Sequence, residues 1–464
     1  RELQRRPKRR KRPRPFLPAR AAVERDGLVV TTSSGERVDA RDPRVTMLVP
    51  SMGRLGTQAL AAAIRSLGIR AVALPPADAD ALKLGRGATN CKECLPLQLT
   101  VGSLLKHLDE HGPGDGVFIY FMPESTGPCR FGQYNVFIKR LIEQRRIPDL
   151  CVVPLGDADG YSGLGHTFAH RAWQAVTASD VMNEVRSAVQ VLADDRAAGL
   201  ETFDRAWRIM LGALARENGE SVAGAVEQAA AILGTIPRRQ SIDETPALLL
   251  TGEIFVRHDE LSCQHLTDRL ADKGFVTRTS PIGEFLYYVD YIYKHRLSPE
   301  RQTLADRLRL LIRPILQQRI ERRTKRTIAR SGFYRPELVE IGRVMQAGGM
   351  LMNPRFLGEA VLTVGSAVRE ILHTVCGVIS IGPFGCMPSR VAEAILNETM
   401  HTARLPETNH TGRIITRLGT AGSLPFLAIE TDGSAFPQLV EARLEAFCLQ
   451  AQRLHGRLHA TATT

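Results

Sequence analysis

The chain has 464 residues, 44% of them apolar, and a formal charge of +12. That length allows two or three α/β units with a sizeable core, and no run approaches the roughly 18 apolar residues a membrane span needs. The charge does not signal a nucleic-acid face: residues 1–20 hold eight Arg, two Lys and one Glu, a net of +9, leaving +3 for the other 444 residues.

Residues 1–41 therefore read as a basic, Pro-punctuated tail or linker. No apolar stretch follows the basic start, so no secretory signal is expected. The eight cysteines are then expected to be reduced thiols of a cytoplasmic protein.

Residues 42–164 form the first predicted lobe. RVTMLVPSMG reads as a buried strand ending in a Gly turn, LGTQALAAAIRSLG as a helix closing on Gly68, and IRAVALPP as a second strand. Such a β-α-β unit favours a parallel sheet. LPLQLTVGSLLKHLDEHG continues as a helix, GVFIYFMP as a strand, RFGQYNVFIKRLIEQR as a helix and LCVVPLG as a strand. Residues 165–245 read as a helical insertion. Residues 246–350 open on the strand in PALLLTGEIFVR, then the helix LSCQHLTDRLADKG, and hold an Arg-rich helical stretch interrupted by Pro314. Residues 351–464 return to α/β through VGSAVREILHTV, GVISIGPFG, SRVAEAIL, PFLAIETDG and a final long helix. No Walker-type phosphate loop occurs.

Three cysteine sites share one position on this map. Cys94 directly precedes Leu95-Pro96, with Pro in the favoured first turn of a helix. Cys129 follows the strand GVFIYFMP at the start of the next helix, and Cys386 follows GVISIGPFG, with Pro388 opening a helix. Ligands of parallel α/β folds collect at the carboxyl ends of strands, and helix N-termini favour thiolates and anionic sulfides. Gly127, Gly132 and Gly385 would let backbone approach a bulky inorganic core. Cys151, Cys263, Cys376 and Cys448 sit in apolar strand or helix patterns and read as small core hydrophobes. Glu124 and Glu430 end strands near the same crevice, as proton donors or as solvated carboxylates.

The pair Cys91 and Cys94 leaves several chemistries open. A thioredoxin-like redox pair would leave Cys129 and Cys386 unused, and GRGATN is a poor preceding strand. Zinc prefers four Cys or His ligands, which Cys91, Cys94, Cys129 and Cys386 could supply. A [4Fe–4S] cube takes four thiolates, or three with one iron open. Four unrelated core cysteines is the remaining reading.

NCKECLPLQLTVGSLL, MPESTGPCRFGQY, GPFGCMPSR and FLAIETDGSAFPQLVEARLEAF together resemble the carboxyl-terminal region of activase-related proteins. Those belong with the 2-hydroxyacyl-CoA dehydratase, benzoyl-CoA reductase and double-cubane cluster group, and the likeness runs over residues 44–455. It implies two or more Rossmann-like lobes whose cysteines jointly hold an iron–sulfur cluster. Cys94, Cys129 and Cys386 would be ligands, with Cys91 the fourth. A single [4Fe–4S] cube is the expectation, because a double cubane needs more thiolates. The resemblance further implies low-potential electrons from an ATP-hydrolysing activase on another chain or an upstream segment, and the Met-less start fits such a segment. A possible acyl-CoA substrate, a homo- or heterodimer, and a reductase- or dehydratase-type subunit or electron-transfer role follow from it too. Arg130, Gln133 and Ser389 flank the cysteines as candidate supporting residues, with helix-capping and surface roles as the alternative. The competing class is a zinc- or thiol-stabilised α/β binding protein without redox chemistry.

Overall fold

The structure is a computed structural model. It describes residues 16–24, 27–90, 92–112, 116–125, 129–153, 155–156, 164–217, 222–297, 304–402 and 423–462. Cys91, Gly127 and most of the basic run lie outside the described residues.

Residues 16–41 are not a linker. β1 (Arg20–Glu24), β2 (Gly27–Thr31) and β3 (Arg37–Asp39) form an antiparallel three-stranded sheet. Leu28, Val30 and Val38 alternate inward and join the core beneath the first lobe. This period-two pattern is short, and the adjoining basic run masks it in composition.

The first lobe runs β4 (Val45–Val49), α1 (Arg54–Arg65), β5 (Ala71–Ala73), α2 (Ala79–Ala88), α3 (Leu95–His111), β6 (Val117–Tyr120), α4 (Tyr134–Arg145) and β7 (Leu150–Val152). Its sheet is parallel, in the order β5-β4-β6-β7. Helix α2 is absent from the sequence pattern, where Asp and Gly residues read as loop. It starts because the Asp78 carboxylate accepts from Ala81 N at 2.9 Å. It packs on α3 so closely that a Cβ on Gly85 would stand 1.8 Å from the Gln98 carbonyl oxygen.

The helical insertion is α5 (His166–Leu192), α6 (Arg196–Leu214) and α7 (Val222–Leu233). With α1 these helices enclose a core around Phe203, Trp207 and Met210.

The second lobe runs β8 (Ala247–Gly252), α8 (Leu266–Asp272), β9 (Val276–Thr279), α9 (Ile282–Lys294), α10 (Leu304–Ala329), α11 (Ile341–Gly349), α12 (Ala360–Glu370), β10 (Val378–Pro383), α13 (Met387–His401), β11 (Phe426–Thr431) and α14 (Gln438–Ala462). The sequence separates residues 246–350 from 351–464, whereas the fold joins them in one parallel sheet, β11-β10-β8-β9. β8 and β10 are buried at every position, as expected of strands covered by helices on both faces. Pro314 lies inside α10 without ending it. Cys263 sits in a turn before α8 rather than on a helix.

Both lobes are thus doubly wound and Rossmann-like. In each, the chain moves outward in opposite directions from a central strand pair, β4/β6 in one and β8/β10 in the other. Crevices form at the carboxyl ends of such pairs, and these two face one another. Phe255, just past β8, packs on Leu82, Leu95 and Leu99 of the first lobe. Gly53, past β4, has φ +87°, and a Cβ there would stand 2.5 Å from the His258 carbonyl oxygen. No described helix is long and apolar enough to cross a membrane.

Candidate functional site

The cleft between the two switch points collects three thiols. Cys94 is the N-cap of α3, and Leu97 N and Gln98 N donate to its carbonyl. Cys129 caps a 3-10 turn, Arg130–Gln133, that leads into α4, and Phe131 N lies 3.5 Å from its sulfur. Cys386 caps α13 after Gly385, whose φ of +68° turns the chain from β10 into the helix. Each sulfur therefore stands where backbone N–H groups are free and the helix end is partly positive. Cys91 lies outside the described residues.

One buried carboxylate ties the three together. Burial raises the pKa of Cys94, Cys129 and Cys386, and the charge of Glu253 adds to the rise in every case. Cys129 also feels Cys386 directly, although 257 residues separate them in the chain. Cys129 is exposed in overall area, yet protein crowds its sulfur enough for burial to lead. The metal-free cleft therefore holds protonated thiols at neutral pH.

The cysteines divide as the sequence suggests. Cys151, Cys263, Cys376 and Cys448 are all buried, and Cys376 donates to the Ala247 carbonyl at 3.2 Å. Of the flanking residues, Ser389 is buried and its hydroxyl donates to Cys386 Sγ at 3.2 Å. Arg130 donates to the Lys92 carbonyl at 2.8 Å, and its charge favours the Cys94 thiolate. Gln133 is exposed at the start of α4. Glu124 pairs with Lys139 on the surface at 3.4 Å, and Glu430 pairs with Arg390 at 2.9 Å. Both of these are ordinary ion pairs outside the buried network.

Sequence reasoning missed four residues of the site. Tyr134, buried at the first turn of α4, places its hydroxyl 2.6 Å from Cys94 Sγ. Glu253 follows β8, and Glu359 is the N-cap of α12. Between them lies Arg257, whose side chain is 3% exposed. Its guanidinium donates to the Gly252 carbonyl at 2.5 Å and the Ser280 carbonyl at 2.8 Å, and faces Glu359 Oε1 at 3.5 Å. Burial, then the charge of Glu253, push Glu359 up to about 8. A glutamate directly after an apolar strand was the only advance signal, and Glu124 offers the same signal on the surface.

The donor set suits a soft metal centre in type. Three thiols converge from three separate helix starts, and a Cβ on Gly385 would meet nothing within 4 Å, so the space beside Cys386 is open. Among the described residues no three Cys, His, Asp or Glu side chains are spaced to hold one metal ion. A tetrahedral ion with metal–sulfur bonds near 2.3 Å needs its sulfurs about 4 Å apart. No family model matches the chain, and no curated protein is similar to it in sequence.

Proposed function

We propose that this chain is an iron–sulfur protein of the acyl-CoA dehydratase and activase group, built to accept and pass low-potential electrons. Cys94, Cys129 and Cys386 would hold a [4Fe–4S] cluster between the lobes, with Cys91 as the fourth thiolate. The observation that carries this reading is that the charge of one buried carboxylate, Glu253, reaches all three distant thiols.

When bound, such a cluster supplies one-electron transfer at low potential. The chain's own residues set the conditions. N–H groups at the starts of α3 and α13 and of the turn before α4 would donate toward sulfur, which, with burial, tunes a cluster's potential. Tyr134 and Ser389 hold Cys94 and Cys386 in fixed orientations. Because the thiols start protonated, loading the site releases protons and proceeds better at higher pH. An ATP-hydrolysing activase would be the electron donor, and an acyl thioester the class of acceptor that the resemblance implies.

Anaerobic purification tests this directly. The expected product is brown, with broad absorption near about 400 nm and roughly four irons per chain. Cys129→Ser should lose most of the iron while Cys448→Ser keeps it. Equal iron in the two variants overturns the ligand assignment, and a colourless protein with stoichiometric zinc supports the non-redox reading instead.

A further inference from the structure

The wall of the cleft in the second lobe contains more buried charge than holding thiols requires. Glu359 Oε2 accepts from Ile254 N at 3.3 Å, while its Oε1 is buried without a hydrogen bond. Glu253 accepts from Val256 N at 2.9 Å. Among the described residues Arg257 is the cation whose charge both Glu253 and Glu359 feel, and it is already shared with three backbone carbonyls. One guanidinium cannot neutralise two carboxylates at low dielectric. One proton shared by the glutamates brings the trio to net zero, consistent with a Glu359 pKa pushed up to about 8 by burial and Glu253.

We propose that Glu359 and Glu253 form a proton store for the cysteine cleft, filled from solvent through the cavity lined by Glu284. The store takes up one proton for each electron that arrives beside it. Its use in electron transfer rests on the iron–sulfur reading of the cleft, whereas the store itself rests on the geometry of the second lobe.

The route leads from Glu359 to the buried Glu284 and on to the half-buried Glu370. Glu359 feels Glu284. Glu284 accepts a short hydrogen bond from the Ser366 hydroxyl and feels Arg257, Glu370 and Arg369. Glu284 and Glu370 line a polar cavity of about 70 Å³, room for a few waters. Ser280 lines it too, and its hydroxyl has no partner among the described residues, so it can hold such a water. Glu337, whose side chain is 37% exposed, lies on the same lining and opens it toward solvent. Arg257 binds the carbonyls of Ser280 and Pro281, two residues of that lining.

On the cleft side, Cys129 and Cys386 both feel Glu253 and Glu359. No hydrogen bond joins either glutamate to the three thiols among the described residues, so the pair acts on the cleft through charge. Tyr288 also stands beside Glu359, its hydroxyl accepting from Gly358 N at 2.9 Å, and Asp259, which feels Glu253, accepts from Ser262. The balance is simple. An electron from a one-electron reductant adds one negative charge to the cleft. One proton passes from cavity water to the ionised member of the pair, and solvent replaces it. The wall and its occupant together gain no net charge.

Two measurements on the full chain test this. The first is the infrared spectrum of the protein as purified, compared in H₂O and D₂O near neutral pH. A carboxylic-acid carbonyl band should appear that is missing in Glu359→Gln. Absence of that band in the wild type overturns the store, whether or not a metal centre is present. The second is proton uptake on reduction by dithionite, read with a pH-indicator dye. About one proton per electron is expected for the wild type and less than about a fifth of that for the double variant Glu253→Gln/Glu359→Gln at unchanged iron content. Glu284→Gln should keep the count and slow the uptake at least about tenfold. An unchanged count in the double variant overturns the proposal. If the carbonyl band is present in a protein with no reducible centre, the store stands and the redox reading of the cleft falls. Should Glu359→Gln fail to fold, Glu253→Gln is read by the infrared criterion.

Discussion

The two lobes share a strand order and a parallel, doubly wound topology, yet they furnish the cleft differently. The first lobe presents Cys94 and Cys129 from helix starts, with Tyr134 as an oriented hydroxyl and Arg130 on the exposed rim. The second adds Cys386 and sets behind it a buried block of Glu253, Glu359, Arg257 and Glu284. One lobe supplies two thiols, and the other a third thiol and the buried charge. The same fold can therefore meet itself across a crevice and still build an asymmetric site, because chemistry is carried by the turns after the strands.

Substitutions on either side of the cleft should break or sharpen this contrast. The largest effect is expected for Arg257→Ala. It strands two carboxylates and three carbonyls inside the second lobe, and should cost roughly 3–5 kcal/mol by denaturant unfolding. Arg130→Ala, its exposed counterpart in the first lobe, should stay within about 0.5 kcal/mol. Similar losses for both would erase the distinction.

The next effect is one of pH. The carboxyl of Glu359 ordinarily titrates near 4.5 and is raised to about 8 in the fold. The folded state then binds the proton more tightly, so this contribution to stability is full below the ordinary value and is lost as pH rises through about 8. The expected loss is up to about 1.4 kcal/mol per pH unit across that window. Glu359→Gln should flatten the profile in thermal melts between pH 5 and pH 8, and an unchanged slope would place the titration elsewhere.

Gly53→Ala probes the seam between the lobes. Its positive φ and the 2.5 Å approach to the His258 carbonyl oxygen should cost about 2 kcal/mol, with faster proteolysis of the interlobe segments. Wild-type stability in that variant would mean the seam yields freely. The smallest effect is expected of Tyr134→Phe. The hydroxyl lowers the Cys94 pKa, so its loss should slow alkylation of Cys94 severalfold in the metal-free protein at pH 8, at a stability cost of about 1 kcal/mol. Faster alkylation would show that the hydroxyl shields the sulfur instead.

The sequence reveals the framework better than the charge block. β4, β6, β8, β10 and β11 are legible because parallel strands buried on both faces leave apolar runs. Cys94, Cys129 and Cys386 are legible because each abuts a helix start after a turn. α2 is not, since Asp78, Asp80, Gly85 and Gly87 read as loop until packing against α3 favours the helix. The short β9, with the pattern Val-Thr-Arg-Thr, carries too little apolar signal alone. Glu253 and Glu124 look alike in sequence, each a carboxylate just past an apolar strand. The first lies buried against the opposing lobe and the second stays in water with Lys139, a difference made by contacts hundreds of residues away.

The close approach of Gly53 to His258, with Phe255 seated on α2 and α3, also bears on how the molecule is made. Cys94 and Cys386 stand 292 positions apart, and the third thiol arrives only after β8 has found β10 across more than a hundred residues of helices. At about 5–20 residues per second of synthesis, the first lobe exists for many seconds with two of its sulfurs in place and nothing opposite them. A complete pocket therefore forms only after β10 and Cys386 have been made, long after the first lobe has emerged.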